Sequence, residues 1–476
     1  MDKFDYAIIG QGSAAFAAAI KANELGARTV MIGGNETNGA ILGGTCINVG
    51  CVPSKRLITV ARFVKELGEK RFSGVEYELG RIKYEEIVAE TKELVKELRR
   101  QKYEDVLKGL ENVEYVNGFG SFAGKEDNGF IRINAGARQV YARKVLIATG
   151  ARANIPNIEG IEKVKYITNE EALFLDKLPE SVIIVGGRAL GLEFAQLFAR
   201  FGVKVTLLQR SSTIIPDHEP EIASLLHQYL SEDGIEIRTG EEPERAREHK
   251  GRKIIETKSG SNFEADELLF ATGRRPNIER LKLDVLKVRL EKGFIYTDSG
   301  MATSARDVYA AGDVTGEPML EALAAKEGTV ATLNALAGKG NKMKIKRINK
   351  NEIPRAIFTD PEVASVGLTD AEANGKGIKC ACNVLPLSFV PKASIIGNKR
   401  GAVKIVIDYS THKILGMHII APNAADLIHE GVLAVKFGLT IDDIIDTVHV
   451  FPTLSESVRL AAQSFYADVS KMSCCT

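Results

Sequence analysis

Twice in this chain a short apolar run ends in glycines and gives way to a helical stretch and then a second apolar run. Residues 4–9 lead into Gly10-Gln11-Gly12-Ser13-Ala14-Ala15, an Ala-rich run to Leu25, and a second strand at 29–32. Residues 181–185 lead into Gly186-Gly187-Arg188-Ala189-Leu190-Gly191, a run at 192–201, and a strand at 203–208. Strand, glycine turn, helix and strand close compactly as a right-handed parallel unit. The turn's backbone N–H groups then face whatever sits at the helix N-terminus, and a pyrophosphate suits that position. Gly10, Gly12 and Ala15 are the first set of cofactor-binding candidates; Gly186, Gly187 and Gly191 are the second. Two such units predict two cofactors, or a cofactor and a reductant.

Both units depart from the ideal pattern. Where the first would carry a ribose-binding acid at the end of its second strand, this chain has Gly33. That leaves Glu36 in the following loop, or some other group, to hold the hydroxyls. In the second unit Arg188 replaces the middle glycine, and the strand ends in Gln209-Arg210-Ser211-Ser212 without a carboxylate. An arginine there suits the 2′-phosphate of NADPH better than the bare ribose of NADH, so NADPH is expected; the competing explanation of Arg210 is a solvated surface charge.

Size and composition narrow the function classes. The 476 residues predict two to three domains, and 45% hydrophobic with 26% charged residues is ordinary for a globular protein. A formal net charge of +1 gives no electrostatic footprint for nucleic acid or anionic lipid. The N-terminus has no basic region, and its apolar run enters glycines at once, so neither a signal peptide nor membrane insertion is expected. A cytoplasmic protein is the expectation. In such a reducing compartment its six cysteines are redox-active or metal-binding rather than structural.

The densest chemistry lies in Gly43-Gly44-Thr45-Cys46-Ile47-Asn48-Val49-Gly50-Cys51-Val52-Pro53-Ser54-Lys55. Five residues of straight helix would separate the two cysteine Cα atoms by about 7.5 Å, beyond the roughly 4.4–6.8 Å of a disulfide. If the two pair, the backbone between them bends, and Gly50 and Asn48 give it that freedom. Helices are predicted over 54–68 and 84–110, then short strands over 113–147 ending in Ala148-Thr149-Gly150. The second unit closes with Ala271-Thr272-Gly273-Arg274-Arg275-Pro276-Asn277. A further strand ends in Gly312-Asp313, where a carboxylate is placed to bond a ligand hydroxyl, and an Ala-rich helix follows at 321–336. Residues 338–350 look like a linker. Beyond it, residues 355–366, 380–387 and 403–420 are strand-rich and 424–437 and 455–467 read as helices, which predicts an α+β unit.

Through Gly10-x-Gly12, the cysteine segment, both Ala-Thr-Gly turns and Tyr309-Ala310-Ala311-Gly312-Asp313, the chain resembles the flavin-dependent pyridine nucleotide–disulfide oxidoreductases along nearly its whole length. The resemblance implies an α/β fold: two Rossmann-like dinucleotide-binding domains plus a C-terminal α+β dimerisation domain. FAD would occupy a discontinuous domain of residues 1–150 and 279–345, and NAD(P)H residues 151–278. Dimerisation would fall to 346–476, giving a homodimer whose active site is shared between subunits. It also implies that Cys51 lies against the flavin and Cys46 faces the substrate. Lys55 would lie near the flavin with Glu193 as its partner, and Asp313 would hold the ribityl chain. Gly44, Thr45, Thr149, Gly150 and Gly273 complete the expected cofactor contacts. The physics agrees: a dithiol stores two electrons, as a hydride delivers, and a thiolate near a lysine is the reactive form at neutral pH.

The substrate is set at the other end. The chain reads His449-Val450-Phe451-Pro452-Thr453-Leu454-Ser455-Glu456. In thiol-handling relatives the residue before this proline is a histidine acid–base, oriented by the glutamate; here it is Phe451, with Glu456 retained. His449 would lie about 6–7 Å further along a strand-like backbone, a poor replacement. Loss of the imidazole costs about 10²–10⁴-fold for a thiolate leaving group, and little for a substrate that needs no proton. The tail ends Cys474-Cys475-Thr476, paired thiols that select soft metals. The expectation is therefore NADPH-dependent reduction of Hg(II), which arrives as thiol complexes. Cys474 and Cys475 would pass it to Cys46 and Cys51, the metal-holding pair. Two alternatives stand: a dihydrolipoamide dehydrogenase-like or other disulfide reductase, and a flavoprotein that sequesters soft metal without turnover. Cys380 and Cys382 alternate on a predicted strand and are expected to pack, and the seven histidines show no zinc spacing.

Overall fold

The computed structural model describes residues 2–34, 41–69, 71–72, 74–75, 80–337 and 345–473. Glu36, Cys474 and Cys475 lie outside these residues. The chain forms two compact units: Met1–Arg56 with Glu85–Asn154 and Gly273–Asn349, and Leu57–Tyr84 with Ile155–Thr272 and Lys350–Thr476.

The first unit is organised on a sheet whose parallel part runs Val113–Asn117, Thr29–Gly33, Lys3–Ile9 and Arg138–Ile147. In strand Lys3–Ile9 every residue but Lys3 and Asp5 is buried, as its apolar positions require. Strand Arg138–Ile147 changes partner half-way. Its first half pairs antiparallel with Ile131–Ala135, and its last three residues pair parallel with Val308–Ala310. Helix Ser13–Glu24 lies against helix Glu321–Leu336; the first brings alanines to the crossing, the second alanines and Gly328. A Cβ on Gly328 would sit 2.1 Å from the Ala14 carbonyl oxygen, so no larger residue fits this close approach.

The second unit holds a four-stranded parallel sheet in the order Glu236–Thr239, Lys204–Gln209, Ser181–Val185, Glu267–Phe270. It also holds a five-stranded antiparallel sheet in the order Arg355–Ile357, Glu362–Gly367, Ile414–Ala421, Ala402–Asp408, Cys380–Pro386. Helices Ala424–Phe437 and Glu456–Gln463 contribute to the apolar core on one face of that second sheet. On its other face Lys404 is buried, its ammonium 2.8 Å from both Glu219 and Glu221.

Three predicted elements differ in detail. The predicted helix 84–110 is interrupted: Tyr84–Arg99 passes into a π-turn at Arg100–Glu104 before resuming at Asp105–Lys108. The predicted helix 455–467 is confined to Glu456–Gln463. Asn48 supplies no bend. It sits inside a helix, and its amide is fully committed, as described below.

Candidate active site

The cysteine segment folds as two helices in sequence, Gly44–Val49 and Cys51–Gly68. Gly50 breaks the run at φ −136°, ψ −118°, so the two thiols sit on either side of a real bend. Gly43, at φ +100°, turns the chain into the first helix. Asn48 pins the turn. Its amide nitrogen donates to the carbonyls of Leu42 (2.9 Å) and Gly44 (2.8 Å), and its oxygen accepts from Arg99 (3.2 Å). Gly44 stands back to back with the nucleotide turn: a Cβ there would lie 2.8 Å from the Gly12 Cα.

Cys46 is half-buried, Cys51 is exposed, and both are thiols. The two side chains hydrogen-bond to each other. That bond, then burial, then the negative charge of Cys51 and Glu321, pushes the Cys46 thiol far up. Lys55 follows Cys51 by one helical turn and is half-buried.

Two residues the sequence did not single out, Tyr103 and Glu321, meet this pair, and a third, Arg274, meets the same turn at Thr45. Tyr103 is delivered by the π-turn; its ring packs edge-on to Phe16 at 4.8 Å, and its hydroxyl bonds Ser13 within electrostatic reach of Cys46, Cys51 and Glu321. Glu321 opens its helix beside the thiols. Arg274 donates to Thr45 Oγ1 (3.3 Å) and to the Ala151 carbonyl, and its Nε lies 3.6 Å from the Asp313 carboxylate. The basic pair Arg274-Arg275 directly after Gly273 marks charge at this turn but not its partners.

The same unit fits FAD. Helix Ser13–Glu24 starts at Gly12, an N-cap with no side chain of its own to offer the first N–H groups, a position that suits an anion. Arg274 Nε is buried without a hydrogen-bond partner, and burial raises the Asp313 carboxyl. Thr149 and Gly150 are tied to Asn277: Thr149 Oγ1 donates to its carbonyl (2.7 Å), and its own N–H donates to that of Gly150 (3.0 Å). Ala15 is buried in the helix behind the turn. The missing acid at Gly33 has a steric reason. A Cβ there would lie 2.7 Å from the Gln11 side-chain oxygen, which already accepts from Tyr115 at 3.0 Å.

In the second unit Gly186, Gly187 and Gly191 form the equivalent turn before helix Ala189–Arg200. Gln209 Oε1 accepts from the Gly187 N–H at 3.0 Å, so the strand-end amide closes the turn where an acid would hold a ribose. Arg210 is exposed, and Arg188 pairs with Asp217 at 3.1 Å. Glu193 is buried and accepts from the Phe358 N–H at 2.9 Å. Gly273 has φ +96° and opens the return to the first unit.

Phe451 is exposed, and Glu456 Oε2 accepts from the Thr453 N–H at 3.3 Å. His449 is bound locally on both ring nitrogens, to Glu430 and to the Thr447 carbonyl, each at 2.9 Å.

The sequence profile of the pyridine nucleotide-disulphide oxidoreductases matches residues 4–328, and that of their dimerisation domain residues 353–462. The chain belongs to this family. It is 38% identical to a mercuric reductase from Lysinibacillus sphaericus, covering 100% of this chain and 85% of that enzyme. It is 37% identical to one from Streptomyces lividans, covering 99% and 98%. Among solved structures it is similar to the Cu(II) complex of the HOCl-induced flavoprotein disulfide reductase RclA from Escherichia coli. That match has a TM-score of 0.84 and 27% identity over 98% of this chain and 100% of that one. LpdA from Mycobacterium tuberculosis matches with the same TM-score at 26% identity over 98% and 100%. Among the described residues no helix is long and apolar enough to cross a membrane.

Proposed function

We propose that this protein reduces Hg(II) to elemental mercury at the expense of NADPH, as the mercuric reductases among its relatives are named for doing. The observation that carries this reading is the thiol pair itself, Cys46 bonded to Cys51 across the Gly50 bend. Two soft donors in contact can exchange onto a two-coordinate metal ion without rearranging the backbone. FAD supplies, when bound, two-electron transfer between NADPH and the thiol-held metal. The overall balance is NADPH plus Hg(II) giving NADP⁺, a proton and Hg(0).

The chain's own residues do the rest. Cys46 and Cys51 displace the thiols that bring Hg(II) in, and each protein proton leaves with a displaced thiol. Position 451 needs no acid–base group for this exchange, since the metal leaves as a neutral atom. Phe451 there, with Glu456 turned to Thr453 instead of an imidazole, is consistent with that requirement. In this reading Lys55 serves as the flavin-side cation with Glu193 as its partner, and Arg210 favours NADPH over NADH. In this reading the protein is a cytoplasmic homodimer, and Cys474 and Cys475 relay the metal to the catalytic pair of the opposite subunit.

The second reading is a disulfide reductase, favoured by the retained Glu456 and by the similarity to RclA. The deciding experiment measures NADPH oxidation driven by Hg(II), glutathione disulfide and lipoamide in parallel. Turnover with Hg(II) and little with either disulfide is expected. Rapid disulfide turnover with none on Hg(II) overturns the proposal. Tight Hg(II) binding with no NADPH consumption leaves a sequestering flavoprotein instead.

A further inference from the structure

Cys380 and Cys382 take no part in the chemistry above, yet they are placed together. They open strand Cys380–Pro386, the edge strand of the five-stranded sheet, hydrogen-bonded along one side to Ala402–Asp408. The alternation is explicit. Ala381 packs on the main apolar core, and Asn383 donates from its side-chain amide to the Ser464 carbonyl at 2.8 Å. Cys380 and Cys382 point to the opposite face, into a small satellite cluster with Leu368, Ala373 and Val406. Both are half-buried thiols.

Residues two apart on a strand have Cα atoms about 6.6–6.8 Å apart, at the upper end of what a disulfide tolerates. At that separation an S–S bond closes only at the limit of its geometry. A linear metal bridge with two metal–sulfur bonds of about 2.3 Å spans about 4.6 Å, which parallel side chains reach by leaning toward each other. A carboxylate stands ready for the proton: Cys380 Sγ donates to Asp370 Oδ1 at 3.1 Å, and Asn374 donates to the same oxygen at 2.8 Å. Asp370 is fixed in the first turn of helix Asp370–Gly375, which a Thr369–Glu372 capping box holds in place. Burial and Asp370 push the Cys380 thiol up to about 11, and burial raises Cys382. Among the described residues no three His, Cys, Asp or Glu side chains are grouped to hold a metal. An ion that needs three or four donors is thereby disfavoured, and a two-coordinate one is not.

We propose that Cys380 and Cys382 form a second soft-metal site, separate from the catalytic cysteines, that takes Hg(II) from its thiol complexes as a digonal dithiolate. In the exchange two protein S–Hg bonds form and two bonds to the carrier thiols break. The two protein protons pass to the departing thiolates, that of Cys380 by way of Asp370. No electron moves, so the site holds mercury rather than reducing it.

The test uses the full chain loaded with FAD, with Cys46→Ser, Cys51→Ser, Cys474→Ala and Cys475→Ala. This protein is mixed with Hg(II) bis-glutathione, freed of unbound metal by gel filtration, and its mercury content measured. About one mercury per chain is expected, falling at least about tenfold when Cys382→Val is added. No retained mercury, or the same amount with and without Cys382→Val, overturns the proposal. Should the fourfold variant fail to fold, Cys382→Val alone serves, since valine suits the apolar cluster around position 382. It should bind about one mercury fewer per chain than the parent, with NADPH-dependent turnover unchanged. Equal binding overturns the site. Because the readout is bound metal, it stands or falls independently of the proposed reductase activity.

Discussion

Replacing Cys51 with serine should make Cys46 more reactive. In the dithiol pair the Cys46 proton is held first by its hydrogen bond to Cys51, then by burial, then by the charges of Cys51 and Glu321. Each of these raises the Cys46 pKa, against a smaller lowering by the Cys51 backbone N–H, which a serine at 51 keeps. Cys51→Ser deletes the sulfur acceptor and its charge but leaves burial and Glu321. A hydrogen bond to a charged acceptor contributes about 1.5–3 kcal/mol, which corresponds to about a tenfold to hundredfold rise in the Cys46 thiolate population. Pre-reduced protein would be pulsed with iodoacetamide between pH 6 and 9, and alkylation at Cys46 quantified by peptide mass spectrometry. The Cys46 rate in the variant should exceed the parent's across that range, and adding Glu321→Gln should raise it again. An unchanged or lower rate at Cys46 in Cys51→Ser would show that the proton does not reside where the pair geometry puts it.

Other perturbations follow from the same structure. Asn48→Ala removes three hydrogen bonds at the cysteine turn and should destabilise the protein by about 2–3 kcal/mol, read as a lower urea midpoint with unchanged slope; an unmoved midpoint contradicts the pinning role. Gly44→Ala adds a Cβ against Gly12 at φ +64° and should abolish retained FAD, measured as the ratio of absorbance at 450 nm to that of the protein. Lys404→Met strands buried Glu219 and should cost about 3–5 kcal/mol at pH 7. The Glu221 carboxyl is lowered in the fold, so its share is present above the usual carboxylate range and lost as pH falls through the folded value. Lys404 is raised, so its share is lost only in strong alkali. The gap between parent and Lys404→Met in urea unfolding should accordingly narrow from pH 7 to pH 4; a constant gap refutes the assignment. Phe451→His should raise lipoamide turnover by at least about 10²-fold and leave Hg(II) turnover within a factor of two.

What the sequence revealed was whatever depends on short-range order. Gly10 to Ala15 and Gly186 to Gly191 lie within single strand–turn–helix units, so spacing alone placed them. The bend at Gly50 followed from the arithmetic of two thiols on one helix. Tyr103 was hidden because a π-turn has no residue signature: the apolar spacing of 84–110 reads as one helix, and the extra residue that swings the ring toward Ser13 leaves no trace in it. Arg274 and Glu321 were hidden for another reason. Strand Arg274–Pro276 pairs with Ala151–Ala153, and the strand that precedes Glu321, Val308–Ala310, pairs with Arg138–Ile147; pairings more than a hundred residues apart are not encoded in any local pattern. Gly33 read as a defect and is a fit, since Gln11 fills the space its side chain would need.

The partner change along Arg138–Ile147 bears on how the chain is made. Val145, Leu146 and Ile147 are fully buried and lean on Lys3–Ile9 from one side, but their other neighbour is Val308–Ala310. A nascent chain emerging from the ribosome therefore exposes an apolar sheet edge there until residue 310 has been synthesised. The parallel sheet of residues 181–270 is complete in sequence well before that. The open edge is the stretch on which a truncated or stalled product is expected to aggregate, and it is where a chaperone would have to act.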